Sequence, residues 1–219
     1  GNCCLTNKFE TTTCLGEAVL RKGNYCGAVG YIGGTNSTYW NEDVYWAVGL
    51  RSSISASMSM AYDGSNLGVY DRLCHTHGET YNQWAMSLGS IIYMGNLAVQ
   101  SSSSSLKLYY WEIYELMGDP SLMPYLTQPS QIPLTAPSTI TVGTSSISVS
   151  TAPYAYIAIT DTVTRTLRVS GFADASGSIT LTLPSSMGVG GYEIAATAQQ
   201  YRTVINDLNV IAASGPYVQ

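Results

Sequence analysis

The sequence changes character near residue 125, and that break constrains the fold more than any other feature. Every Trp (Trp40, Trp46, Trp84, Trp111), every Cys (Cys3, Cys4, Cys14, Cys26, Cys74) and both His (His75, His77) lie before it. Beyond it, Pro129, Pro133 and Pro137 open a short Pro/Ser/Thr linker. Short apolar runs follow at 139–142, 146–150, 154–160, 166–169, 178–183, 192–198 and 204–211, separated by turn signals such as Asp174-Ala175-Ser176-Gly177 and Gly188-Val189-Gly190-Gly191. Strict alternation in Ile179-Thr180-Leu181-Thr182-Leu183 is that of a half-buried strand. About seven short strands with regular turns predict an all-β immunoglobulin-like sandwich over 129–219, without the Cys…Trp…Cys core of antibody domains.

Residues 1–128 mix periods instead. Cys14–Lys22 has helical spacing, with Leu15, Val19 and Leu20 apolar and Glu17, Arg21 and Lys22 polar. Ala28–Ile32, bounded by glycines, reads as a buried strand. Thr80–Leu97 predicts a long helix despite Gly89 and Gly95, and Leu106–Met117 a second, Tyr-rich one. Ser101–Ser105 reads as a loop between them. Helix, strand, helix, helix argues α/β. Only one good strand is visible here, too few for a sheet.

The charge balance excludes several classes of function. With 9 Lys+Arg against 14 Asp+Glu, net charge −5 and pI near 4.8, the chain has no means of neutralising a run of phosphates, which excludes a nucleic-acid partner. A basic membrane-surface segment is absent, and no apolar stretch reaches the ~18 residues of a membrane span. Few charges (11%) with many Ser, Thr and Tyr is a composition associated with secreted bacterial proteins. The chain opens on Gly1 without an initiator Met or signal peptide, and reads as a processed fragment.

Five Cys leave at least one thiol unpaired within the chain. Their spacings match no zinc template, and the adjacent Cys3 and Cys4 cannot both enter one tetrahedral site without strain. Cys14, Cys26 and Cys74 read as buried small hydrophobes. Cys3-Cys4 would suit the carboxyl end of a buried strand, where open α/β sheets place ligands; either structural thiols or a nucleophile, activated as a thiolate or by a base, fits the residues. A redox pair is disfavoured by the strain of a vicinal disulfide. The segment Asn36-Ser37-Thr38-Tyr39-Trp40-Asn41-Glu42-Asp43-Val44-Tyr45-Trp46, read as a loop after a strand, combines aromatic walls with two carboxylates. That is how a cation pocket is built, although such aromatics also simply pack against a following helix. His75 and His77 read as an exposed loop, since no acidic or imidazole triplet surrounds them at a recognisable spacing.

Several segments, in order and nearly in spacing, resemble the gingipains, the C25 cysteine proteases, and in particular their lysine-specific branch. They are Gly1-Asn2-Cys3-Cys4, Cys14-Leu15-Gly16-Glu17-Ala18, Gly30-Tyr31-Ile32-Gly33-Gly34-Thr35, Ser37 to Trp46, and Gly118-Asp119-Pro120-Ser121-Leu122-Met123-Pro124-Tyr125. The resemblance covers essentially the whole chain. It implies that 1–128 is the C-terminal part of an α/β caspase-like catalytic domain, followed by the immunoglobulin-like domain. It implies Cys4 as nucleophile, with its N–H in the oxyanion hole. Asp43 would receive a P1 lysine ammonium, Trp40 and Tyr39 would form the aromatic wall, and Asn2 the pocket floor. Glu17 and the Phe9 carbonyl match part of a structural calcium site.

The family's catalytic His lies on a strand about thirty residues before the nucleophile, and neither His75 nor His77 matches it. The resemblance therefore implies a partner, an N-terminal chain of the same protease that carries the His, the remaining strands and more of the pocket. Function is expected to be that of a secreted or cell-surface bacterial cysteine endopeptidase acting on peptides or proteins, cleaving after a basic residue with lysine favoured over arginine. The alternative is a non-catalytic secreted binding or structural protein, or an inactive remnant that keeps the protease fold.

Overall fold

The structure is a computed structural model that describes residues 3–50 and 62–213. The chain divides into two units, Gly1–Pro124 and Tyr125–Gln219, so the divide falls a few residues before the 128/129 boundary read from the sequence.

In the first unit, α1 (Leu15–Leu20) begins where the Glu17 carboxylate accepts the Cys14 N–H at 3.1 Å. This satisfies one of the donors that every helix start leaves open. Strand β1 (Gly30–Gly34) follows, then α2 (Trp40–Val48), α3 (Val69–Cys74), a 3₁₀ turn at Tyr81–Gln83, α4 (Leu88–Gln100), α5 (Lys107–Ile113) and β2 (Tyr114–Gly118). β2 pairs antiparallel with β1, from Gly30 opposite Gly118 to Gly34 opposite Tyr114. Helix α4 packs on α2, α3, α5 and β2, around a core that includes Trp46, Val69, Leu88, Ile91, Val99 and Tyr110.

Four elements differ from the sequence reading. The helix expected over Thr80–Leu97 starts only at Leu88, where the Ser87 hydroxyl accepts the Ser90 N–H. Before it, Thr80 N–H bonds Gln83 Oε1 to close a separate turn, and Ala85 N–H is taken by the Arg72 carbonyl of α3. The helix expected over Leu106–Met117 stops at Ile113, because its second half is captured as β2 by the open edge of β1. The strand expected at Ala28–Ile32 lies at Gly30–Gly34 for the same pairing reason. The segment 36–46 is a loop only as far as Tyr39 and is helical from Trp40. The described residues thus hold two strands in this unit, not one.

The second unit comprises β3 (Ser130–Gln131), β4 (Leu134–Thr135), β5 (Thr139–Thr141), β6 (Ser146–Thr151), β7 (Tyr156–Asp161), β8 (Leu167–Phe172), β9 (Ser178–Thr182), β10 (Gly190–Thr197), β11 (Tyr201–Arg202) and β12 (Val204–Ile211). One sheet has the order β5-β12-β10-β7-β8, and a second β4-β6-β9; β11 and β3 form a short pair. Ile147, Val149 and Leu181 from the smaller sheet share one core with Ile157, Ile159, Tyr192, Ile194 and Leu208 from the larger. Alternation places these side chains on the inner faces and leaves the Ser and Thr between them outside. Most pairings are antiparallel, but β12 with β5 and β11 with β3 run parallel.

Gly95 on α4 faces the buried indole of Trp46. A Cβ at residue 95 would fall 2.1 Å from Trp46 Cε2. The indole cannot retreat: its Nε1 donates to Asn96 Oδ1 at 3.1 Å, and its ring stacks on Tyr114 with centroids 5.1 Å apart. Replacing a helical Gly by Ala gains about 1 kcal/mol of propensity, whereas overpacking a tight core costs about 1–3 kcal/mol. Gly95→Ala is therefore expected to lower the denaturant midpoint of the first unit despite the better helix former. An unchanged or raised midpoint would show that the contact is loose.

Candidate active site

Cys3 and Cys4 are exposed and lie on a turn, not at the end of a strand. The turn is held by backbone bonds, Leu5 N–H to Asn36 O at 3.2 Å and Asn7 N–H to Gly34 O at 2.9 Å. Asn7 is fully buried, and its Nδ2 donates to the Glu115 carbonyl of β2 at 2.8 Å. One residue thus fastens the turn to both strands. Leu5, next to Cys4, has φ of 61°, the left-handed region that a non-glycine residue enters at a cost. Gly33 permits the close approach, since a Cβ there would fall 2.4 Å from Thr6 Oγ1.

Thr38 faces the Cys4 sulfur. Its N–H donates to Sγ at 3.3 Å, and its Oγ1 and carbonyl oxygen each lie 3.6 Å from Sγ. The Thr38 hydroxyl, and after it the N–H, draws the Cys4 thiol below its ordinary value; desolvation and the charge of Asp43 act in the opposite sense. The single proton of that hydroxyl has a second acceptor in Asp43 Oδ2 at 2.7 Å, so it serves the sulfur or the carboxylate, one at a time. The other oxygen, Asp43 Oδ1, accepts the hydroxyls of Tyr114 at 2.8 Å and Tyr110 at 3.0 Å. Both phenols are buried, and burial foremost pushes their pKa well above the usual tyrosine range, with the Asp43 charge adding to it. They therefore stay protonated and keep donating. Tyr110 also accepts the Tyr39 N–H at 2.8 Å, which fixes the residue preceding α2.

The two carboxylates of the aromatic segment part company. Neighbours on a helix point about 100° apart, so Asp43 turns toward Thr38 while Glu42 is buried and accepts the Ser104 hydroxyl. The serine run thereby acquires a role that the sequence did not suggest. Ser102 Oγ donates to Val99 O and accepts the Ser104 N–H, linking the end of α4 to the start of α5. Trp40 and Tyr39 are exposed, and Tyr39 meets the Tyr109 ring edge-on at 5.9 Å. Asn2 lies outside the described residues.

The remaining sequence candidates lie elsewhere. Glu17 commits one oxygen to the Cys14 N–H, and Phe9 is exposed. They offer two hard oxygens where calcium takes about six to eight, and among the described residues no group of three ligand side chains includes Glu17. Together they supply part of the oxygen set that a calcium ion takes. Of the thiols expected to be buried, Cys14 is; Cys26 and Cys74 are exposed, because one sits in the loop after α1 and the other ends α3. His75 stacks on Trp84 and His77 on Tyr62, and neither is among the contacts of Cys4. His77 lies in an exposed loop, as expected, and its ring comes near the carboxylates of Asp71 and Glu79.

A thiol drawn below its ordinary value, beside an anchored carboxylate, is suited to nucleophilic chemistry. The chain belongs to peptidase family C25, whose family model matches residues 1–125. It is 32% identical over 219 residues to Lys-gingipain W83 of Porphyromonas gingivalis, an alignment covering 96% of this chain and 12% of that protein. A second Lys-gingipain of that species, from strain ATCC 33277, is 32% identical over 217 residues, again with 12% of its length covered. The chain thus spans about an eighth of these curated relatives. Among solved structures, one titled "Structure of Protease" superposes with a TM-score of 0.75 at 30% identity, over 96% of this chain and 46% of that one. The Arg-specific cysteine proteinase gingipain R shares the fold, with a TM-score of 0.70 at 18% identity over 95% of this chain and 44% of that one.

Thr38→Val removes the hydroxyl that faces Sγ and keeps the N–H. A lowered thiol pKa means more thiolate at a given pH, so the variant is expected to shift the pH profile of Cys4 alkylation by iodoacetamide upward, toward that of an ordinary thiol. Peptide mapping separates Cys4 from its neighbours. A superimposable profile would remove the hydroxyl as the cause.

Proposed function

We propose that this chain is the nucleophile-bearing portion of a secreted or cell-surface cysteine endopeptidase that cleaves after a basic residue, lysine in preference to arginine. The observation that carries the proposal is the line Cys4–Thr38–Asp43, which sets an attacking sulfur two contacts away from a carboxylate held by three hydroxyls. Such a carboxylate is ready to pair with a side-chain ammonium, and exposed Tyr39 and Trp40 at the head of α2 would flank the aliphatic stem. An ammonium can reach a single carboxylate as a compact point charge, whereas a guanidinium needs a wider fork; this supports lysine.

In the reaction, the Cys4 thiol passes its proton to a histidine and Sγ attacks the carbonyl carbon of the basic residue. The C–N bond breaks, an acyl-enzyme forms, and the leaving amine takes a proton from the same histidine. Water then releases the acyl group. That histidine is assigned to a segment or chain outside this one, because His75 and His77 are stacked on aromatic rings elsewhere. The β-sandwich is read as an immunoglobulin-like appendage that stabilises the catalytic part. Among the described residues no helix is long and apolar enough to cross a membrane.

In a preparation that also contains the His-bearing segment, a chloromethyl ketone with a P1 lysine is expected to label Cys4 alone, and not at all in Cys4→Ala. Asp43→Asn should lower kcat/KM on lysyl substrates about 30-fold or more, since breaking a desolvated charge pair costs about 2–5 kcal/mol and 1.4 kcal/mol is tenfold. Full activity of Asp43→Asn would move the specificity pocket elsewhere. Absence of labelling would leave a binding or structural role.

A further inference from the structure

A second cluster of chemistry lies away from Cys4. Asp71 in the first turn of α3, and His77 and Glu79 in the segment after it, each present a ligand atom, all within 4.8 Å of one another. Glu79 is buried, with its side chain wholly shielded from solvent. One of its oxygens, Oε2, accepts the His77 N–H at 2.9 Å. The other, Oε1, is buried with no hydrogen-bond donor and lies 3.6 Å from His77 Nδ1. A buried carboxylate oxygen without a donor is costly, and a cation relieves it.

We propose that Asp71, His77 and Glu79 bind a zinc ion, which clips the 76–79 segment to α3. One imidazole nitrogen and two carboxylate oxygens, with water in the fourth position, form a four-coordinate set that zinc accepts. The imidazole disfavours calcium and magnesium, which take oxygen alone. Zinc bonds of about 2.0–2.2 Å require ligand atoms roughly 3.4 Å apart, so atoms now up to 4.8 Å apart must draw in by as much as about 1.4 Å. His77 is half exposed and Asp71 half buried, and both can move toward the fixed Glu79. The surroundings suit a ligand set. Asp71 Oδ2 accepts the Gly68 N–H at 3.1 Å, and His77 stacks on Tyr62 with centroids 4.2 Å apart and planes 15° apart, which orients both ligands. Burial raises the Glu79 pKa, but the N–H groups of Glu79 and His77 and the Tyr62 hydroxyl outweigh it and keep the group ionised. The proposal does not depend on the peptidase reading.

The test is titration of the intact chain, its accessible thiols blocked with iodoacetamide, with Co²⁺ and then Zn²⁺. One Co²⁺ per chain is expected, with visible d–d bands of a four-coordinate site, no sulfur-to-cobalt charge-transfer band, and displacement by Zn²⁺ but not by Ca²⁺. His77→Ala should weaken binding about 100-fold or more, since even indirect partners of a ligand are worth 10–100-fold. Asp71→Asn provides a second reading should His77→Ala fail to fold, with circular dichroism as the check. Absence of stoichiometric binding, a thiolate charge-transfer band, or undiminished affinity in a folded His77→Ala would overturn the assignment.

Discussion

The carboxylate of Asp43, gripped by the hydroxyls of Thr38, Tyr110 and Tyr114, is the interaction on which the site depends. A half-buried charge is tolerated only where donors surround it, and the donors here come from three places: the turn before α2, helix α5 and the first residue of β2. Satisfying one carboxylate therefore locks three elements together. The tyrosines stack on each other and on Trp46, so the polar network rests directly on the core of the unit. Because burial keeps the phenols protonated, both hydroxyls remain available as donors to Asp43.

The Cys4 thiol is fixed by a different logic. Cys4 sits on a turn whose strained Leu5 is held in place by backbone bonds to Gly34 and Asn36 and by the buried Asn7. Strain of this kind persists only when its surroundings over-determine it. Thr38 joins the two arrangements, touching the sulfur on one side and Asp43 on the other. Membership of family C25 and the similar solved structures then supply context for geometry that already points to thiol chemistry.

Local patterns were legible where burial follows a simple period. The alternation at Ile179–Leu183 and Ser146–Ser150 corresponds to β9 and β6, whose inward residues fill the sandwich core. The expected helix at Cys14–Lys22 corresponds to α1, slightly shortened at both ends. Patterns failed where a distant partner decides. Tyr114–Gly118 has the composition of a helix end, yet it becomes a strand because β1 offers unpaired backbone. Nothing near Asn7 or Thr38 in the sequence marks them, since their partners lie at Glu115, Gly34, Cys4 and Asp43. The tyrosines at 110 and 114 read only as part of a Tyr-rich helix; their hydroxyls matter only once Asp43 is brought beside them. Asp71 and Glu79 gave no spacing signal either, because a helix and a turn together create their meeting with His77.

By itself the sequence determined the change of character near residue 125, the strand-turn rhythm beyond it, the absence of a basic surface for nucleic acid, and the candidates Cys4 and Asp43. These follow from composition and short-range periodicity, or from resemblance carried by contiguous motifs. Only the tertiary structure decided that Glu42 is a buried structural carboxylate while Asp43 faces the thiol, that Thr38 joins Asp43 to Cys4, and that Asp71, His77 and Glu79 converge. The reason is physical. Hydrogen-bond donors and acceptors act over about 3 Å in space whatever their separation along the chain, and only the folded backbone sets those distances.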